Sequence, residues 1–151
     1  MEKLMIDSDV IINWLAKEVE KSTRYNMWIA PTSILELGEK RQLANHVSLL
    51  SVFEIRFVLR RKKRWNFTEI EKDLNALGNI VSIVTPSKDE LIQANQLQSE
   101  QPLDPFDSVL LSHAISLEGI LISRDSRFLR IASRYVPCYT PEDYIESCLN
   151  T

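Results

Sequence analysis

The stretch of sequence that decides the fold runs from residue 103 to residue 128, LDPFDSVLLSHAISLEGILISRDSRF. Asp104 and Pro105 are a cap and first-turn pair that predicts a helix, and ILIS then predicts a buried strand. Asp107 lies in the first turn of that helix, and Asp125 follows the strand directly. We therefore expect both carboxylates at element ends, where side chains converge without being packed away.

Composition limits the remaining possibilities. The chain has 151 residues, 44% of them hydrophobic, which suits one domain over residues 1–151. A net charge of -3 argues against a protein that coats nucleic acid electrostatically. Cys138 and Cys148 lack zinc-site spacing, so we expect idle thiols in a reducing compartment. No apolar run reaches the ~18 residues of a membrane span, which favours a soluble cytoplasmic protein.

Strands and helices alternate along the chain, which predicts a single α/β domain with a mainly parallel sheet between two helical layers. Capping boxes are expected at Thr68 with Glu71 and at Ser87 with Glu90, and glycine stops at 78 and 119. The expected strands cover residues 3–7, 47–51, 80–84, 120–123 and 136–139. The first helix is expected from residue 8, and the next two over residues 32–44 and 52–65.

Four acids are expected at one rim of that sheet. Asp7 and Asp125 follow strands, and Glu54 and Asp107 begin helices, so their side chains can meet beyond the carboxyl ends of the strands. Such a cluster of carboxylates would repel itself unless a cation were present. Oxygen ligands favour Mg²⁺ or Mn²⁺, which support hydrolysis of phosphodiesters.

A basic run follows Glu54, and two interpretations of it stay open. It is either a solvated helix end or a surface that follows phosphates, in which case Trp65 could stack on an unpaired RNA base. Arg127 and two further arginines, Arg124 and Arg130, could extend that surface beside Asp125. The run consists of Arg56, Arg60, Arg61, Lys62, Lys63 and Arg64, and it ends at Trp65.

The segments LMID, SDVIINWL, SVFEIRFVLRR, DPFDSVLLSHA, GILISRDSRF and VPCYTPEDYI together resemble the PIN-domain nucleases, including the VapC-type toxins. The resemblance spans nearly the whole length and rests on four acids in order. It implies that an acidic quartet binds Mg²⁺ or Mn²⁺ for RNA cleavage, and that a small protein antitoxin and a homodimer are partners. The implied catalytic and metal-binding quartet is Asp7, Glu54, Asp107 and Asp125.

Three neighbouring residues are candidates for supporting roles. Ser123 stands where the family usually has threonine and keeps a hydroxyl. Asp9 stands where the family often has asparagine and adds an acceptor. Glu36, in TSILELGEK, also resembles the family's glutamate motif. We prefer Glu54 for the quartet because it follows a credible strand, and on that choice Glu36 is an exposed residue of a lengthened helix.

Two other functions compete with the nuclease. The segment IDSDV resembles the opening of haloacid-dehalogenase-class phosphatases, with Asp7 as nucleophile and Asp9 as acid/base, but SRDSRF lacks that family's later metal motif. A catalytically inactive fold that binds RNA or protein is the third interpretation. Whether a nuclease of this kind would be a toxin or an RNA-processing enzyme stays open.

Overall fold

The computed structural model describes residues 1–150 and contains one parallel five-stranded sheet. All four neighbouring pairs are parallel, and the order is β3-β2-β1-β4-β5. From β1 to β3 the strands are added toward one edge of the sheet, and β4 and β5 are added on the other side of β1. The strand order therefore reverses between β1 and β4, and at such a point a parallel sheet opens a crevice for ligands. The strands are β1 Lys3–Ile6, β2 Ala44–Ser48, β3 Ser82–Val84, β4 Ile120–Ile122 and β5 Cys138–Tyr139.

Helices cover both faces of the sheet, which confirms the expected α/β fold. Leu4 and Ile6 of β1 face one apolar cluster, whereas Met5 faces the other, as the alternation of a strand requires. No helix within residues 1–150 is long and apolar enough to cross a membrane. The helices are α1 Ser8–Leu15, α2 Ile29–Glu39, α3 Leu49–Arg61, α4 Phe67–Gly78, α5 Lys88–Glu100, α6 Pro105–Leu117, α7 Ser126–Ala132 and α8 Pro141–Tyr144, followed by a π-helical turn, Ile145–Leu149.

The first half of the chain is shifted relative to the prediction. The second strand begins at Ala44, three residues early, so α2 ends at Glu39 instead of residue 44. Asn45 explains the shift, since its buried amide donates to the Ile34 carbonyl of α2 at 3.0 Å. A Cβ at Gly38 would collide with that amide, so a glycine inside α2 permits the close packing of helix on strand.

The ends of the helices are set by capping hydrogen bonds more than by the positions of glycines. The Ser87 box is confirmed, but the preceding box joins Asn66 and Glu69 and lies two residues before the predicted one. Neither predicted glycine stop is left-handed. Glu118 takes that conformation instead, with φ 52. Gly119 is needed for space, because a Cβ there would lie 2.7 Å from the Lys3 carbonyl oxygen.

Candidate active site

Asp7 stands at the reversal of strand order, directly after β1. Its amide donates to the Ile122 carbonyl of β4 at 2.9 Å, and its side chain caps α1 by accepting from the Ser8 amide. One carboxylate oxygen accepts from the Ser8 amide at 2.7 Å and the other from the Ser123 hydroxyl at 2.8 Å. Burial raises the pKa of Asp7, the hydrogen bonds from Ser123 and Ser8 oppose the rise, and the charge of Asp125 adds to it.

Ser123 joins two of the predicted acids. It is fully buried at the end of β4, and its hydroxyl donates to Asp7 while accepting from the Asp125 amide at 3.1 Å. Asp125 itself is exposed and caps α7, accepting from the Arg127 and Phe128 amides at 3.1 Å each. The serine therefore fixes Asp7 and the backbone of Asp125 relative to each other.

Asp107 approaches the same place from α6. Burial raises its pKa to about 8, and the negative charges of Asp104, Asp7, Asp125 and Glu54 add to the rise in that order. The four acids predicted from sequence are thus close enough to act on one another. The structure adds Asp104, whose carboxylate caps α6 by accepting from the Asp107 amide at 2.8 Å. The sequence did contain a signal for its closeness to Asp107, because residues three apart lie on the same side of a helix.

The glutamate that the structure brings to this group is Glu54. It lies in the second turn of α3, because that helix starts at Leu49, earlier than predicted. Burial raises the pKa of Glu54 to about 7, and the charges of Asp7 and Asp104 add to the rise. Glu36 is exposed on α2. We refer to Asp7, Glu54, Asp104, Asp107 and Asp125 as the acidic set.

Asp9 lies close to Asp7, and only one of its two carboxylate oxygens has a hydrogen-bond partner within residues 1–150. One of its oxygens accepts from the Arg124 amide at 3.0 Å, while Oδ1 is buried and has no hydrogen-bond partner within residues 1–150. Burial raises the pKa of Asp9 to about 7, and the charge of Asp7 adds to the rise. An orphaned carboxylate oxygen beside other acids is costly unless a proton or cation reaches it.

Arg124 points into the protein, contrary to the expectation that it extends an RNA-binding surface. Its guanidinium donates to both carboxylate oxygens of Glu142, at 2.7 and 2.8 Å, and to the Met27 carbonyl at 2.8 Å. Its Nε also donates to the Asn13 side chain. The arginine therefore ties α1, the segment before α2 and α8 together, while its amide holds Asp9.

A cleft of about 260 Å³ opens beside the acidic set. Asp104, Asp107 and Asp125 line it together with Arg127, whose exposed side chain is the cation at its edge. Leu103 and Phe128 are among the apolar residues of its wall. The cleft is open to solvent and lies beyond the carboxyl end of β4, since Asp125 and Arg127 follow that strand.

The side chains of the acidic set are neighbours without forming a ready-made metal site. Within residues 1–150, no three His, Cys, Asp or Glu side chains are arranged to hold an ion. The chemistry of the donors still fits a hard divalent cation, since every donor is an oxygen, and burial together with the charges of the other acids raises the pKa values of Glu54 and Asp107. The orphaned Oδ1 of Asp9 adds a further acceptor.

The basic run after Glu54 is divided between structural and free cations. Arg56 pairs with Glu71 at 2.6 Å, and Lys63 pairs with Glu18 at 2.7 Å. Trp65 is half-buried and packs against the larger apolar cluster, so its ring is not a free stacking surface. The exposed cations of the run that form no ion pair within residues 1–150 are Arg60, Arg61, Lys62 and Arg64.

Comparisons with known proteins agree with this geometry. The family model described as PIN domain matches residues 4–134. No curated protein has a significantly similar sequence. Among solved structures, VapBC2 from Rickettsia felis bound to a promoter DNA fragment has 15% identity and a TM-score of 0.71, covering 91% of this chain and 98% of the other. A toxin-antitoxin complex from Klebsiella pneumoniae has 19% identity and a TM-score of 0.67, with coverage of 91% and 97%.

A third structure extends the match along the whole chain. The protein PAE2754 from Pyrobaculum aerophilum has 12% identity and a TM-score of 0.65, covering 99% of this chain and 97% of the other. At these identities the solved structures establish the fold, and the family model establishes the relationship. The resemblance inferred from sequence is confirmed: the chain belongs to the PIN domain family of nucleases.

Proposed function

We propose that the protein is a metal-dependent endoribonuclease that hydrolyses phosphodiester bonds of RNA. The observation that carries the proposal is the acidic set itself. Its members lie near the point where strand order reverses, burial and their mutual repulsion raise the pKa values of Glu54 and Asp107, and no member forms an ion pair within residues 1–150. A set of that kind is costly in the empty protein, and binding a divalent cation would offset the cost.

Asp7, Glu54, Asp107 and Asp125 are the proposed ligands of Mg²⁺ or Mn²⁺. The bound ion would supply Lewis acidity toward water and the phosphate. Ser123 supports this group by holding the buried Asp7 carboxylate through one hydrogen bond and the Asp125 amide through another.

Two further carboxylates support the ligands without belonging to them in this proposal. Asp104 fixes the start of α6, and thereby Asp107, and adds negative charge at the cleft. Asp9 keeps its Oδ1 available beside Asp7, while the Arg124 amide holds its other oxygen.

The RNA substrate is supported by the distribution of free cations. Arg127 lines the cleft, and the end of α3 together with the residues that follow it carries four basic side chains that form no ion pair within residues 1–150. Cations at these places would neutralise phosphates on either side of the acidic set, so binding should weaken as salt concentration rises. Single-stranded or looped RNA suits a shallow cleft better than a duplex.

A role as the toxin of a toxin-antitoxin pair is part of the proposal. Several similar structures are described as toxin-antitoxin or VapBC complexes, and that description supports a protein antitoxin as partner here. The resemblance to VapC-type toxins also implies a homodimer, and we propose that the protein acts in the cytoplasm. The family match also favours the nuclease over the phosphatase interpretation of Asp7 and Asp9.

The test is cleavage of single-stranded RNA with Mg²⁺ or Mn²⁺. Asp107→Asn should lower the rate roughly 100-fold or more, since it removes a carboxylate from the proposed metal site with little change in shape. Asp89→Asn is the matched control, because Asp89 is an exposed acid in the first turn of α5, and it should cleave like the wild type. Cleavage that persists in EDTA or in Asp107→Asn would refute the mechanism. If the wild type never cleaves RNA, the interpretation as a catalytically inactive fold that binds RNA or protein would be favoured instead.

A further inference from the structure

Three phenylalanines line an exposed groove beside the acidic set. The groove has a volume of about 310 Å³, and its walls are Phe53, Glu54, Phe57, Val58 and Phe106. The phenylalanines are 61%, 54% and 49% exposed, although large apolar side chains usually contribute to a core. Three such rings around one groove constitute a feature that folding alone does not require.

Packing of α3 explains why these rings face solvent. The helix presents Ile55 and Leu59 to the interior, where both are fully buried. Phe53 and Phe57 are four residues apart and therefore lie one above the other on a different side of the helix. Phe106 reaches the groove from the first turn of α6. The rings come from two helices, α3 and α6.

The groove is continuous with the acidic set through both helices. Glu54 lines the groove and is also close enough to Asp7 and Asp104 for their charges to raise its pKa. Phe106 immediately precedes Asp107 in the chain. A strand whose phosphate lies at the acidic set would therefore place its neighbouring nucleotides against these rings.

Charge along α3 identifies the occupant. Arg61 follows Phe57 by four residues, so it extends the same side of the helix, and Arg60 flanks it. Both arginines are exposed and form no ion pair within residues 1–150. The surface thus presents carboxylates for a metal, then aromatic rings, then cations. This order suits a single nucleic-acid strand, because its flat bases can stack on the rings while its phosphates meet the cations.

We propose that Phe53, Phe57 and Phe106 form a nucleobase-binding groove that stacks unpaired bases of the RNA next to the cleaved phosphate. The inference rests on the proposed ribonuclease function and adds a substrate-binding surface to it. It also replaces Trp65 as the stacking aromatic, since that indole is packed against the core.

The first test measures binding of a labelled oligoribonucleotide of about twelve nucleotides in EDTA at low salt, where the proposed reaction is stopped. The Phe53→Ala/Phe57→Ala variant should bind about tenfold more weakly than the wild type, the loss expected for removed stacking. Phe67→Ala is the matched control, because Phe67 is 72% exposed but lies outside the groove, and it should bind normally. Phe57→Trp should retain binding, whereas Phe57→Leu should not.

The second test removes the bases instead of the rings. An oligoribonucleotide with several abasic positions should bind the wild type about as weakly as the double variant binds the intact strand, and the two losses should not add. Fully additive losses, or normal binding by the double variant, would overturn the groove. If the double variant binds RNA normally but changes oligomeric state, the rings are instead an interface between protein copies.

These outcomes are separate from failure of the ribonuclease itself. Binding is measured without catalysis, so a wild type that binds through the groove but never cleaves would refute only the proposed reaction. A wild type that cleaves in Mn²⁺ and shows no effect of the ring substitutions would refute only the groove. Thermal melting of each variant should match the wild type, because the substituted rings are exposed.

Discussion

Half-buried carboxylates in this protein occur in two environments. At Glu90 and Glu142, burial alone would raise the pKa, but hydrogen bonds and a basic partner lower it below its usual value. The partner of Glu90 is His113, and the partner of Glu142 is Arg124. In the acidic set, burial also raises the pKa of three members, but the neighbours are other acids. The difference between the two environments within residues 1–150 is therefore a basic side chain paired with the carboxylate, which Glu90 and Glu142 have and the acidic set lacks.

This contrast separates structural from functional charge. The fold supplies histidine or arginine where a carboxylate only has to be stabilised. Beside the cleft it places acid against acid, which costs stability and is the arrangement that we propose for binding an external cation. The difference can be tested by removing the basic partner from a carboxylate of the first environment or one negative charge from the second.

The largest effect is expected from Arg124→Met. The substitution leaves Glu142 without its cation and the Met27 carbonyl and the Asn13 side chain without their donor. Since the two side chains are only 16% and 31% exposed, we expect a loss of about 2–3 kcal/mol in the free energy of unfolding. Tm should fall by roughly 5–12 °C.

Arg127→Met is the matched control for that change. Arg127 is exposed and uses only its backbone amide in a hydrogen bond, so its Tm should stay within about 1–2 °C of the wild type. Equal melting of the two variants would show that the Arg124 network does not stabilise the fold.

A smaller effect of opposite sign is expected from Asp107→Asn in EDTA. The pKa of Asp107 rises from 3.8 to about 8 on folding, so the folded protein binds more protons than the unfolded chain between those values. Stability without metal should therefore fall as pH rises through this range. Near pH 8, the asparagine variant should be more stable than the wild type by on the order of 1–2 kcal/mol, and the gain should vanish below about pH 4.

Urea unfolding across pH measures this difference. Asp89→Asn removes a first-turn acid that lies in solvent and should give no gain at any pH. Glu90 and Glu142 act in the opposite direction, because their lowered pKa values stabilise the fold above the acid range and lose that contribution as pH falls. An asparagine variant less stable than the wild type at pH 8 would contradict the view of Asp107 as uncompensated.

The smallest effect is expected from Lys63→Met. Its ammonium group is 2.7 Å from Glu18, but the two side chains are 33% and 27% exposed. A pair so near the surface should contribute less than about 1 kcal/mol and weaken with added salt. Lys62→Met removes a cation that forms no ion pair within residues 1–150, and it provides the reference in chemical denaturation. A loss as large as that of Arg124→Met would show that a positive partner stabilises to the same degree whatever its burial.

Much of the site could be predicted because its signals are local. Asp7 and Asp125 each follow an apolar strand, and Asp104 with Pro105 begins a helix, so their places on elements follow from periodicity and capping. Boundaries were less predictable where a distant contact set them. The early start of the second strand depends on Asn45 reaching across to α2, which periodicity does not encode.

The sequence by itself determined the alternation of strands and helices, the parallel α/β fold and the acids at element ends, because those features depend on neighbours along the chain. Only the tertiary structure decided that Glu54 and not Glu36 joins Asp7, that Asp104 adds its charge, and that Arg124 turns inward. Each of these outcomes depends on which surfaces meet across the sheet. Burial and long-range charge set the chemistry of the acids, and neither can be determined from spacing in the chain.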